Sequence, residues 1–194
     1  MKATCIVGSA RNNGSSSYIA DTFIKGFKEA NIQTIKYCIS DCNIEYCKGC
    51  KNCYINDECI INDAVPQIIN DIITSDYVVI IAPSYWAGIP AQLKAFFDRT
   101  TPYGDTNPNR KIYSQQAING IAVAVRAGTR EAENQLILDS IEHYFGHLNI
   151  YTSKRISICE TDTLDDLLSK HQRTIDEIYL FAKNIKKMQA NEHN

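Results

Sequence analysis

Four cysteines fall within thirteen residues, Cys47-Lys-Gly-Cys50-Lys-Asn-Cys53-Tyr-Ile-Asn-Asp-Glu-Cys59. Two-residue gaps let successive thiolates converge on one small centre, so the run reads as an iron–sulfur ligand loop whose four sulfurs could serve a single cubane. The last gap is longer than in the bacterial ferredoxin run, and Ile60 stands where that run has proline, so a ferredoxin fold is not implied. Three other readings compete. A structural zinc accepts four thiolates, although its ligands come more often as two separated pairs. A disulfide framework needs an oxidising compartment, and the start Met1-Lys-Ala-Thr-Cys-Ile-Val runs straight into a strand-like segment rather than a secretory signal. Unliganded buried thiols are the third, which suits Cys5, Cys38 and Cys159 among their apolar neighbours. Cys42 is left as a spare thiol.

Three further stretches carry binding chemistry. The loop Ser9-Ala-Arg11-Asn-Asn13-Gly-Ser15-Ser16-Ser17 is rich in hydroxyls and amides and enters a helical pattern. Open amides and the positive helix end favour a phosphate there, and Arg11 adds a forked cation. The loop matches neither G-x-x-x-x-G-K-[ST] nor G-x-G-x-x-G, so a phosphomonoester fits better than a triphosphate or dinucleotide. A serine-rich turn with an ordinary N-cap is the plainer alternative. Pro83-Ser84-Tyr85-Trp86-Ala-Gly88 places two aromatics and a glycine where a flat ring could be stacked and approached by backbone. Arg126-Ala-Gly128-Thr-Arg130 offers a glycine and two cations, or simply a solvated turn. His143 and His147 have i, i+4 metal-pair spacing, but the H-E-x-x-H glutamate and a third ligand are missing. Asp98 and Arg99 are expected to make structural ion pairs, of the surface kind that contribute little.

These loops need a scaffold, and the apolar pattern supplies one. Strand-like runs at 3–7, 32–39, 77–82, 120–125 and 150–158 alternate with helical patterns following the first loop and at 63–73, 91–99, 131–145 and 164–187. The run at 77–82 is continuously apolar and β-branched, as in a central parallel strand covered on both faces. Asp63 can cap its helix and Pro66 suits the first turn. The stretch 40–62, bearing the cysteines, is a long excursion between the second strand and second helix. Alternation of this kind predicts a doubly wound parallel sheet with ligands at the carboxyl ends of its strands. The 194 residues fit one domain, 1–188, with a polar tail at 189–194 expected to fray. Twenty basic against twenty-two acidic residues leave no footprint for nucleic acid, and no apolar run approaches the roughly 20 residues a membrane span needs. Eight cysteines without an export signal point to a reducing, cytoplasmic setting.

The set Gly8-Ser-Ala-Arg11 with Gly14-Ser-Ser, then Pro83-Ser-Tyr-Trp and Pro90-Ala-Gln-Leu-Lys-Ala-Phe-Phe-Asp-Arg99, resembles the NADPH-dependent FMN reductase superfamily of flavodoxin-like proteins. With the four cysteines between the second strand and second helix, the chain is similar to the iron–sulfur flavoproteins of anaerobic archaea and bacteria over roughly residues 1 to 150. That resemblance implies a flavodoxin-like five-stranded sheet in the order 2-1-3-4-5, a homodimer or homotetramer, and one FMN and one [4Fe–4S] cluster per subunit. It further implies electrons arriving from a low-potential ferredoxin-like donor and leaving to a two-electron acceptor such as oxygen or peroxide. By position, Ser9, Arg11, Asn13, Ser15, Ser16 and Ser17 would surround the phosphate, and Pro83, Ser84, Tyr85, Trp86, Gly88, Arg126 and Gly128 the ring. Cys47, Cys50, Cys53 and Cys59 would ligate iron; independently of the resemblance, the charge of Lys48 and Lys51 and the loop's backbone amides could raise the potential of such a cluster. The chain departs from the family at Ala10, where proline is usual, and at Arg126-Ala-Gly-Thr, where a glycine pair is usual. The rival is an NAD(P)H-dependent FMN, quinone or azo reductase with a structural or zinc-bound cysteine loop. A third class is a flavin-free redox-sensing or zinc-stabilised interaction module.

Overall fold

The computed structural model describes residues 1–110 and 117–192, with side chains to residue 186. Its strands are β1 (Lys2–Val7), β2 (Gln33–Cys38), β3 (Tyr77–Pro83), β4 (Ile118–Val125) and β5 (Ile150–Ile158), all paired in parallel in the order β2-β1-β3-β4-β5. The order is the one expected of a flavodoxin-like fold. Every residue of β3 is buried, the observed counterpart of its unbroken apolar run. The chain reverses direction across the sheet between β1 and β3, so the loops leaving those strands open onto one crevice.

The helices are α1 (Ser15–Glu29), α2 (Asn52–Ile55), α3 (Val65–Ile73), α4 (Ala91–Arg99), α5 (Glu131–His147), α6 (Leu164–Lys170) and α7 (Gln172–Glu192). They cover both faces. Ile68, Ile72, Leu93, Phe96, Ile141 and Phe145 from α3, α4 and α5 pack one side of the sheet. Phe23, Phe27, Leu167, Ile178 and Ala182 from α1, α6 and α7 pack the other. Gly26 lets α1 and α7 touch, since a Cβ there would stand 2.7 Å from Ala182 Cβ. Burial of these faces removes apolar area from water at roughly 25 cal/mol per Å², which is what fixes the helices on the sheet.

The single helix expected over 164–187 is two. Thr163 and Asp166 form a reciprocal capping box that starts α6, and the chain leaves helical geometry at His171 (φ −125°) before α7. Helix α7 extends to Glu192, into the stretch expected to fray, and residues 193 and 194 lie outside the described residues. Among the described residues no helix is long and apolar enough to cross a membrane.

Candidate functional site

The loops after β1, β3 and β4 meet in a cleft at the carboxyl edge of the sheet. Ser9, Arg11, Ser15 and Ser16 line it from the first, Pro83, Ser84 and Tyr85 from the second, and Arg126 from the third. Gly14 stands at the N-cap of α1 and no side chain caps that end, so the serine run is not an ordinary N-cap and the first-turn amides are left for a ligand. Ser9 Oγ accepts the Arg11 N–H at 3.1 Å, and Ser15 Oγ donates to the Thr163 carbonyl at 2.9 Å. Gln92 Nε2 donates to the Gly8 carbonyl at 3.0 Å, tying α4 to the loop. Arg11 makes a loose contact, 3.4 Å, with Asp162 Oδ1, and both side chains are mostly exposed. Such a pair is weak and leaves the guanidinium free to turn to an anion.

Arg126 is held more firmly. Its guanidinium pairs with Glu133 Oε2 at 2.7 Å and donates to the Arg130 carbonyl at 2.9 Å, while its Nε is buried without a partner. A buried donor with no acceptor is costly, and this one lies in a group that walls the cleft. An acceptor-bearing ligand edge, such as that of a flavin, would satisfy it. Gly128 makes the arrangement feasible, because a Cβ there would lie 2.6 Å from an Arg126 nitrogen.

Other expected contacts stand elsewhere. Ser17 Oγ accepts from Lys36 Nζ at 2.9 Å, which also pairs with Asp21, and does not line the cleft. Asn13 is exposed. Tyr85 and Gly88 exchange backbone hydrogen bonds of 2.9 and 3.0 Å across a turn whose two middle residues, Trp86 and Ala87, have φ of 53° and 58°. Left-handed geometry at two non-glycine residues is strained. The turn holds the Trp86 side chain wholly in solvent (103% exposed), while Gly88 faces a groove between α4 and α5. Thr161 and Asp162, which no sequence pattern marked, complete the cleft wall.

The second centre is the cysteine loop. Cys47, Cys50, Cys53 and Cys59 line one small cavity together with Lys48, Lys51 and Arg99. Gly49 (φ 65°) and Lys51 (φ 58°) turn the backbone between them, and the Gly49 N–H points at Cys47 Sγ, 3.4 Å away. Helix α2 carries Cys53; Asn107 Nδ2 donates to the Cys53 carbonyl at 2.9 Å and Asn109 Nδ2 to the Tyr54 carbonyl at 3.0 Å. Burial pushes the Cys53 thiol up, and the neighbouring Cys59, Cys47 and Cys50 push it further. Among the described residues no three or more His, Cys, Asp or Glu side chains stand together in metal-holding geometry, while the four thiols share one cavity.

Arg99 corrects the sequence reading. It is 2% exposed, not a surface ion-pair member. NH1 donates to Asp63 Oδ2 at 2.6 Å and the Glu45 carbonyl at 2.9 Å; NH2 donates to Asp63 Oδ1 at 3.2 Å and the Ile61 carbonyl at 3.1 Å. Its Nε donates to Cys59 Sγ at 3.2 Å. One guanidinium therefore clamps both ends of the loop to α4 and presents a charged donor to a sulfur. Burial alone would raise the Asp63 carboxyl, but hydrogen bonds from Arg99 and from the Val65 and Glu45 amides hold it below the usual carboxylate range. Asp63 thus serves the clamp as much as the start of α3. Donors aimed at sulfur are what a thiolate-held iron–sulfur centre uses, so these residues fit one.

The remaining thiols differ from one another. Burial pushes Cys5 up to about 12, the behaviour of an inert core residue. Cys38 and Cys159 are only partly buried, contrary to expectation, and Cys159 Sγ donates to Glu131 Oε2 at 3.3 Å. Cys42 donates to the Cys38 carbonyl at 3.4 Å.

A 2-1-3-4-5 parallel sheet with an uncapped α1 and three converging loops defines a flavodoxin-like α/β protein with a ligand cleft at its switch point. Residues 1–151 match the family described as NADPH-dependent FMN reductase, and the chain belongs to that family. It is 36% identical over 133 residues to an iron–sulfur flavoprotein of Archaeoglobus fulgidus, a match covering 69% of this chain but 58%, less than two-thirds, of that relative. To the iron–sulfur flavoprotein of Methanosarcina thermophila it is 31% identical over 149 residues, covering 77% of this chain and 74% of the relative. Among solved structures, an NAD(P)H:quinone oxidoreductase from Methanothermobacter marburgensis superposes with a TM-score of 0.72 over 96% of this chain and 97% of its own, at 18% identity, a likeness of fold.

Proposed function

We propose that this chain is a cytoplasmic electron-transfer flavoprotein, holding FMN in the cleft and a [4Fe–4S] cluster on Cys47, Cys50, Cys53 and Cys59. It takes electrons from a low-potential, ferredoxin-like donor and delivers them to a two-electron acceptor such as oxygen or peroxide. The observation that carries this reading is the four-thiol cavity with the Arg99 Nε donor on Cys59 Sγ, alongside a separate anion-ready cleft. Bound, the two groups supply conversion between single-electron and paired-electron carriers. The chain's own residues do the rest. Ser9, Ser16 and the α1 amides bind the phosphate, while Ser15 exchanges the Thr163 carbonyl for it and Arg11 exchanges Asp162. Arg126 walls the cleft beside the ring. Arg99 and Asn107 fix the loop so that the sulfurs keep one orientation. Tyr46, Ile55, Ile60 and Trp86 are exposed large apolar side chains, which supports association into a homodimer or homotetramer.

The test is chemical analysis of anaerobically purified protein: about four iron and four sulfide per chain, one FMN released on denaturation, and a paramagnetic signal after dithionite. Stopped-flow mixing should show reduction by ferredoxin outpacing reduction by NADPH. Absence of iron and of any signal would end the cluster reading, and rapid flavin bleaching by NADPH alone would make the chain a nucleotide-driven reductase.

A further inference from the structure

We propose that His143 and His147, with Asp105 holding the His147 ring from behind, form a two-ligand site for one divalent transition-metal ion of the nickel or copper class, apart from both the cysteine loop and the flavin cleft. The two histidines lie a turn apart on α5, with Nε2 atoms 3.0 Å apart and ring planes at 84°. On the far side of the His147 ring, Asp105 Oδ1 lies 2.6 Å from Nδ1, and the Asp105 amide donates to the His147 carbonyl at 2.9 Å. A carboxylate on Nδ1 fixes the tautomer, leaving the Nε2 lone pair facing outward as a ligand. Without an ion, one proton must bridge the two Nε2 atoms; an ion takes its place.

The spacing says which ions fit. Two nitrogens about 2.1 Å from a common ion and 3.0 Å from each other subtend about 90°. Tetrahedral coordination would spread them to about 3.4 Å. The hydrogen-bonded pair therefore reaches cis positions of an octahedral or tetragonal ion with the least movement, which favours Ni²⁺ or Cu²⁺ over Zn²⁺. Both rings face an open groove of about 550 Å³ between α4 and α5, so water completes the shell. Lys94, which shares the groove, is neutralised by its ion pair with Asp98. The helical spacing alone was a weak signal; the carboxylate, arriving from the segment after α4, is what the sequence did not show.

The test is calorimetric titration of the anaerobically purified full-length protein with NiCl₂, comparing stoichiometry among variants so that metal taken by the cysteine loop cancels. The parent chain should bind one more Ni²⁺ than His143→Ala or His147→Ala. Asp105→Asn should keep that equivalent but bind it about tenfold more weakly. His143 is exposed, so its loss should leave the thermal melt unchanged. Equal stoichiometry in His143→Ala and the parent would overturn the site. Binding by Asp105→Asn as tight as the parent's would remove Asp105 from it.

Discussion

The serine loop after β1 and the cysteine loop solve the same problem in opposite ways. The first is short and pinned at each end by regular structure, β1 on one side and α1 on the other, with Gly8 N–H bonded to the Ile81 carbonyl at 2.8 Å. The second spans 40–62 with one four-residue helix and depends on side chains from afar, Arg99 and Asn107. A loop framed by a strand and a helix inherits its precision from the backbone ladder. A long excursion has to be held by a few buried contacts, and losing one releases many residues at once.

The sharpest way to break the contrast is Arg99→Ala. It strands the buried Asp63 carboxylate and should cost about 3–5 kcal/mol in urea unfolding, with new protease cleavage confined to 45–61. A loss under about 1 kcal/mol, at the level of a surface pair, would refute the clamp. Acid should act on the same contact. Because the folded carboxyl of Asp63 titrates below its unfolded value, its contribution is complete above about pH 4 and drains as pH falls toward the folded value. Urea midpoints taken from pH 7 down to pH 3 should fall less steeply in Asp63→Asn than in the parent, and parallel curves would contradict the assignment. On the other loop, Ser16→Ala should weaken FMN binding about tenfold, one charge-assisted hydrogen bond, with the unfolding midpoint unchanged. An unaltered dissociation constant would move the phosphate elsewhere. The smallest effect is expected at Ala87, where glycine relieves the left-handed backbone and should stabilise the fold by up to about 1 kcal/mol, read as a higher melting temperature.

The sheet was readable because each strand is an apolar run that only a doubly covered parallel sheet can bury, and β3 is the clearest case. The cleft was readable for the same reason: knowing where β1, β3 and β4 end places Ser9, Tyr85 and Arg126 together. Arg99 was not. A helical arginine beside an aspartate reads as a solvated pair, and only the path of residues 45–63 over α4 buries it. Thr161 and Asp162 escaped because their loop follows the edge strand β5, outside the switch point where ligands are sought. Ser17 was assigned to the phosphate by its neighbours in sequence, yet the helical turn swings it round to Lys36. The split at His171 carries no glycine or proline to announce it.

Trp86 is the only tryptophan in the sequence, and its side chain is fully exposed. Its position makes the molecule self-reporting. Indole emission overlaps flavin absorption, so loading the cleft lined by the neighbouring Pro83, Ser84 and Tyr85 should quench ultraviolet fluorescence by energy transfer. A docking protein or second subunit that covers the ring should instead shift the emission to the blue. Occupancy and assembly could then be followed separately, in one cuvette, without any attached dye.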